Sequence, residues 1–170
     1  MIHFHTNSAE ETKALAAGVA QAVQDRDFIV LAGEVGSGKT TFAQGFGKAL
    51  GIEEQITSPT FVLMRTYQAP MKLHHADIYR IDYLQEVIDL GLLEILDEGG
   101  VALMEWGDMA APVLPRDFLE VKFEIDEMND DARRVRIRGV GATWALREKV
   151  LRDFVAEWIV EGDASEGEQQ

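Results

Sequence analysis

The stretch Gly-Glu-Val-Gly-Ser-Gly-Lys-Thr-Thr at residues 33–41 constrains this chain more than any other. Gly33, Gly38, Lys39 and Thr40 satisfy G-x-x-x-x-G-K-[ST], the P-loop pattern, which works only between a buried strand and a helix. Both flanks comply. "DFIVLAG" is a short apolar run ending in glycine and reads as a buried strand. Residues 39–50 read as a helix with Phe42, Phe46, Ala49 and Leu50 on one face and Gly51 as its stop. The glycines let the backbone curl so that N–H groups point inward around phosphate oxygens, and the helix aims its positive end at the anion. Val35, Gly36, Ser37 and Gly38 form the wrap. Lys39 is placed to reach the β- and γ-phosphates, and the Thr40 hydroxyl to ligate Mg2+. The expected ligand is a nucleoside triphosphate with its magnesium.

The rest of the chain alternates strand and helix. "SAEETKALAAGVAQAVQ" opens with Ser8 and Glu11 in a capping arrangement, then repeats Leu15, Val19 and Val23 at helical spacing. "TSPTFVLMRTY" reads as a turn and a strand, and "MKLHHADIY" as another strand. "DYLQEVIDLGLLEILDEGG" reads as helical, with Asp82 as cap and Gly91 as a break. "VALMEW" is a further buried strand. "FLEVKFEI" and "RRVRIRG" alternate with period two around "DEMNDDA", which predicts an antiparallel pair. A closing helix buries Trp144, Leu151, Phe154, Val155 and Trp158. The expected fold is α/β: a three-layer sandwich of the P-loop NTPase type, with a mostly parallel sheet and an antiparallel strand pair. Residues 1–160 read as a single P-loop ATPase domain, and 161–170 as an acidic disordered tail.

Composition narrows the chemistry. There is no cysteine, which excludes thiol catalysis and thiolate metal sites. No apolar run approaches a membrane span and the N-terminus lacks the pattern of a signal peptide, so a cytoplasmic protein without membrane contact is expected. The formal charge is −14, and "EGDASEGEQQ" contributes only four of those charges. A chain so acidic is badly suited to gripping nucleic acid unaided, because phosphate binding relies on Lys and Arg displacing counterions. Any nucleic-acid role has to use a local patch or pass through a partner.

A P-loop needs a second acid near the metal, usually ending a neighbouring apolar strand. Glu105, after Val101–Met104, fits as a magnesium ligand, direct or through water. In "HHADIYR", strand alternation puts His75, Asp77 and Tyr79 on one face, so His74 and His75 cannot share a metal. Asp77 can orient the attacking water or hold magnesium through water, whereas each histidine alone reads as structural. Ser58, Pro59 and Thr60 form a stiff hydroxyl-bearing turn, a switch-like candidate sensor of the γ-phosphate. Neither asparagine, Asn7 nor Asn129, begins the guanine-reading N-K-x-D motif, which leaves ATP as the nucleotide.

In this order and spacing, "GEVGSGKTTFAQGF", "TSPTF", "HADIYR" and "EWGD" closely resemble the TsaE (YjeE) family of small bacterial ATPases, over about residues 8–140. The resemblance implies a compact P-loop fold and an ATPase that is weak alone. It implies action with the TsaB and TsaD proteins, which make N6-threonylcarbamoyladenosine (t6A37) on tRNAs reading ANN codons; ATP hydrolysis supports or resets that assembly. Contact with tRNA would then be indirect, which agrees with the charge. Carried over by position, Lys39 and Thr40 would hold phosphate and magnesium, Glu105 would be the magnesium acid and Asp77 the residue of hydrolysis. Thr41 would lie beside the α-phosphate, Arg133 or Arg134 near the base, and Trp106 at the flank. Gly107 stands where the family often has proline, which predicts a looser turn, and the acidic tail has no counterpart.

Two rivals share the motif. A P-loop small-molecule or nucleotide kinase would carry an arginine-rich lid, yet the dense arginine run, Arg133–Arg138, falls in the expected strand pair. A nucleotide-dependent adaptor would need ATP binding without hydrolysis.

Overall fold

In the computed structural model, which describes residues 1–160, seven strands form one sheet in the order β1-β7-β6-β2-β5-β4-β3. The segment 161–170, expected to be a disordered tail, lies outside the described residues. The strands are β1 Ile2–Thr6, β2 Phe28–Ala32, β3 Met64–Tyr67, β4 Leu73–Asp77, β5 Val101–Glu105, β6 Phe118–Asp126 and β7 Asn129–Val140. The helices are α1 Ala9–Ala22, α2 Lys39–Ala49, α3 Leu84–Asp89, α4 Leu92–Asp97 and α5 Ala142–Phe154. β2 pairs parallel with β5 and β6, and β4 parallel with β5. β7 is antiparallel to both β6 and β1, and β3 antiparallel to β4. Only β3 and β7 therefore run against the other strands, and the sheet is mostly parallel as expected.

The three layers follow from burial on both faces. In β2 every residue is buried: Ile29 and Leu31 join Leu15, Val19, Phe42 and Phe46 under α1 and α2, while Phe28 and Val30 join Val87, Leu92 and Leu96 under α3 and α4. A strand covered twice has no polar side to offer, which is why β2 reads as a continuous apolar run. Ser8 caps α1 by accepting from the Glu11 N–H at 3.1 Å, as its sequence position predicts. Asp27, just before β2, receives two bonds from the Arg147 guanidinium of α5, at 2.6 and 2.7 Å, both residues being buried.

Some expectations are corrected. β1 is not anticipated above: it is only five residues long, and two histidines in its less buried positions dilute the apolar signal. Tyr83, not Asp82, caps α3, and no side chain bonds its N-terminus. Gly91 does break the helical run, at φ +64°. Phe154 is 45% exposed, because α5 ends there and the chain leaves helical geometry at Val155.

Candidate functional site

The site forms where β2 hands over to α2. Gly33 turns the chain at φ +146°, and a Cβ there would lie 2.7 Å from the Phe123 carbonyl oxygen, so no larger residue fits. Gly38 takes φ +106° immediately before α2, and its carbonyl accepts the first helical bond, from the Phe42 N–H at 2.9 Å. The loop between them leads into the N-terminus of α2, the kind of helix start that receives phosphate.

Lys39 folds back over this loop. Its Nζ donates to the carbonyls of Gly33 at 2.6 Å and Glu34 at 2.8 Å, and lies 4.0 Å from the centre of the Trp106 ring. Burial pushes its pKa below the ordinary lysine value, while the carboxylates of Glu105, Asp77 and Asp108 pull it back up.

Sheet register delivers the two acids. Glu105 is the cross-strand partner of both Leu31 on β2 and Asp77 on β4, so the carboxylates stand side by side at the carboxyl ends of parallel strands. Such strand ends are where open α/β sheets place their ligands. Glu105 is buried, and the Thr40 hydroxyl donates toward its carboxylate oxygens at 3.2 and 3.4 Å. His75, fully buried, places Nε2 at 2.9 Å from Glu105 Oε1. Asp77 is also buried. Its Oδ2 accepts from the hydroxyls of Ser58 and Thr60, the latter at 3.3 Å, and its Oδ1 from the Tyr79 N–H at 2.9 Å. The Ser58-Pro59-Thr60 turn is thus tied to Asp77.

A cleft of about 390 Å³ gathers these groups, within the range of small-molecule sites. Val35, Gly36, Gly38, Lys39, Thr40, Thr41, Thr60, Asp77, Glu105 and Arg133 all line it. Ser37 turns its side chain inward, and its Oγ has no hydrogen-bond partner among the described residues. The two arginines separate. Arg133 crosses from β7 to the loop, donating to the carbonyls of Ser37 at 2.8 Å and Gly36 at 3.1 Å. Arg134, on the opposite face of the strand, bonds Asp126 at 3.0 Å and does not line the cleft.

Three cleft features escaped the sequence reading. His75 reaches Glu105 rather than acting alone. Tyr79 packs on Trp106 with ring centres 4.7 Å apart, and Arg80 covers Phe61 at 4.7 Å. Trp106 does flank the site, at φ +64°. Gly107, after Trp106, is buried, and a Cβ there would lie 2.7 Å from a Val30 methyl group, so the close approach to β2 favours glycine.

The donors fit a magnesium nucleotide. Thr40 and Glu105 offer oxygens to one point, Lys39 is held by carbonyls that a phosphate can replace, and nothing lies within 4 Å of a Cβ built on Gly36, so the cradle is open. Among the described residues no helix is long and apolar enough to cross a membrane.

Comparison with known proteins agrees with this geometry. The profile of the family described as "Threonylcarbamoyl adenosine biosynthesis protein TsaE" matches residues 6–135. The "tRNA threonylcarbamoyladenosine biosynthesis protein TsaE" of Bacillus subtilis is 37% identical over 146 residues, covering 85% of this chain and 90% of that protein. The protein of the same name from Streptomyces coelicolor is 34% identical, covering 80% and 95%. The crystal structure of Bacillus subtilis YdiB superposes with a TM-score of 0.72 at 32% identity, over 90% of this chain and 97% of that one. With the P-loop, the paired acids and the hydroxyl turn on one scaffold, and relatives matched along most of their length, this chain belongs to the TsaE family.

Proposed function

We propose that this protein binds ATP with Mg2+ in the β2–α2 cleft and hydrolyses it in support of TsaB and TsaD as they form N6-threonylcarbamoyladenosine on tRNA. The observation that carries the reading is the convergence of Thr40 and Glu105, 3.2 Å apart beneath the P-loop, with Asp77 in register beside them. The loop amides and Lys39 would hold the β- and γ-phosphates, and Thr41 the α-phosphate. Thr40 and Glu105 would hold magnesium, directly or through water; magnesium, when bound, neutralises charge on the phosphate oxygens. Asp77 would orient the attacking water once Ser58 and Thr60 release it, which makes the 58–60 turn the switch-like element. Arg133 would sit beside the nucleotide, while the placement of Arg134 on Asp126 leaves it a structural role.

The charge of −14 supports an indirect relation to tRNA, with the partners supplying the nucleic-acid grip. A kinase reading loses its best material here. Arg134, Arg136 and Arg138 are paired across the strands with Asp126, Glu124 and Glu120, and so form a structural ladder. A cytoplasmic location follows from the proposed partnership.

Steady-state ATP hydrolysis, measured alone and with the TsaB–TsaD pair, tests the reading. The expected result is slow turnover, raised several-fold by the pair and lost in Lys39→Ala. Turnover indifferent to the pair, or label from ATP recovered in a product other than phosphate, overturns it.

A further inference from the structure

His75 has no part in the function proposed so far, yet it is the most completely enclosed polar group beside the site. It lies on β4, two residues before Asp77, and its side chain is fully buried. One ring nitrogen, Nε2, stands 2.9 Å from Glu105 Oε1, and the other, Nδ1, finds no partner among the described residues. A carboxylate can only accept, so this pairing assigns the proton to Nε2 and leaves Nδ1 bare. The opposite tautomer would bury an unpaired N–H and face a lone pair toward a carboxylate, which is costly twice over.

The bond constrains Glu105. Oε1 is shared between His75 at 2.9 Å and Thr40 at 3.2 Å, while Oε2 keeps only the longer contact with Thr40, at 3.4 Å. His75 thus pins one oxygen from β4 and leaves the other, among the described residues, to Thr40. Glu105 is also the foremost of the carboxylates acting on the Lys39 ammonium. Without His75, the buried carboxylate loses its one nitrogen donor among the described residues, and the Thr40 hydroxyl alone is left to orient it.

We propose that His75 is a positioning residue, which holds the Glu105 carboxylate toward Thr40 and so sets the affinity of the cleft for the magnesium of its nucleotide. The inference rests on the ATP reading above. Outer partners of metal-holding groups typically change metal affinity about 10- to 100-fold when removed.

The test is binding of a fluorescent ATP analogue to wild type, His75→Leu and His75→Gln, titrated with Mg2+ and repeated in EDTA. Gln keeps an N–H near the reach of Nε2; Leu fills the space without one. The expected result is a Mg2+ dependence weakened about 10- to 100-fold in His75→Leu and within a few-fold of wild type in His75→Gln. Binding in EDTA should be unchanged in both. Two results overturn the inference: a His75→Leu variant with wild-type Mg2+ dependence, or equal losses in both variants together with a lowered unfolding midpoint, which would make His75 a packing residue. A wild type that binds without regard to Mg2+ overturns the ATP–magnesium reading itself. Should His75→Leu fail to fold, 15N NMR of the wild-type ring decides: a protonated Nε2 supports the assignment, and a protonated Nδ1 refutes it.

Discussion

Replacing Arg147 with methionine should cost far more stability than a single side chain on a closing helix ordinarily would. The Arg147 guanidinium makes two bonds to the Asp27 carboxylate, at 2.6 and 2.7 Å, and a third to the Ala22 carbonyl at 3.2 Å. It also lies 4.0 Å from the Trp144 ring centre. Each partner is 8% exposed, so neither charge can turn to bulk water. Methionine keeps the apolar stem but strands the carboxylate, which among the described residues retains the Gln24 N–H at 2.7 Å. Breaking a buried pair in this way costs about 3–5 kcal/mol. For a chain of this size each kcal/mol lowers Tm by about 2–4 °C, so a fall of about 6–20 °C is expected. Asp27 immediately precedes β2, the strand that launches the P-loop, so the damage should spread to nucleotide binding. Urea unfolding followed by far-UV circular dichroism gives the free energies. Asp27→Asn in the same chain removes the stranded charge and should recover at least about 1.5 kcal/mol of the loss. A single-variant cost below about 1 kcal/mol, or strict additivity in the double variant, would refute the reasoning.

Three further outcomes follow from the same geometry. Gly33→Ala places a Cβ 2.7 Å from the Phe123 carbonyl oxygen, at a φ that L-residues rarely adopt; it should destabilise by about 1–3 kcal/mol and weaken ATP binding, read by unfolding and calorimetry. Asp77→Asn should bind MgATP within a few-fold of wild type but hydrolyse it at a small fraction of the rate; support of TsaB–TsaD by this variant would favour the adaptor alternative. Asp126 carries a pH prediction: the Met128 N–H foremost, with Arg134 and His5, holds its carboxyl below the ordinary value of 3.8. Its folded pKa is depressed, so its contribution is complete above pH 3.8 and is lost as pH falls through the lowered value. The stability gap between wild type and Asp126→Asn should therefore close below about pH 3.8 in acid-unfolding curves.

The positions of the P-loop and Glu105 were legible because each sits at a boundary that local sequence marks, whereas the strand carrying Asp77 reads on to Tyr79 in the sequence and ends at Asp77 itself. An apolar strand ending in glycine, or in a glutamate, declares both its burial and its edge, and parallel strands place such edges together. What the sequence could not show is which edges become neighbours. Glu105 pairs with Leu31 and Asp77 only through the strand order β2-β5-β4, and His75 meets Glu105 for the same reason. Strand alternation already put His75 on the face of Asp77, so the missing element was the neighbouring strand, not the phase. Arg133 and Arg134 pose the converse problem: alternation guarantees that only one can face the loop, but the register of β7 against β6 decides which. The bonds from Ser58 and Thr60 to Asp77 span 19 and 17 residues and exist only once β4 is in place. β1 escaped notice because five residues with two histidines give too short a pattern for period two to stand out.

The central claim, that ATP hydrolysis in this cleft serves tRNA modification, is tested most directly by reconstitution. TsaB, TsaD, tRNA and the threonylcarbamoyl donor are combined with ATP, and modified nucleoside is counted by mass spectrometry over many turnovers, with wild-type protein, Lys39→Ala or none. The account predicts sustained turnover only with the wild-type protein, and a stalled first round in the other two mixtures. Equal yields in all three would contradict it.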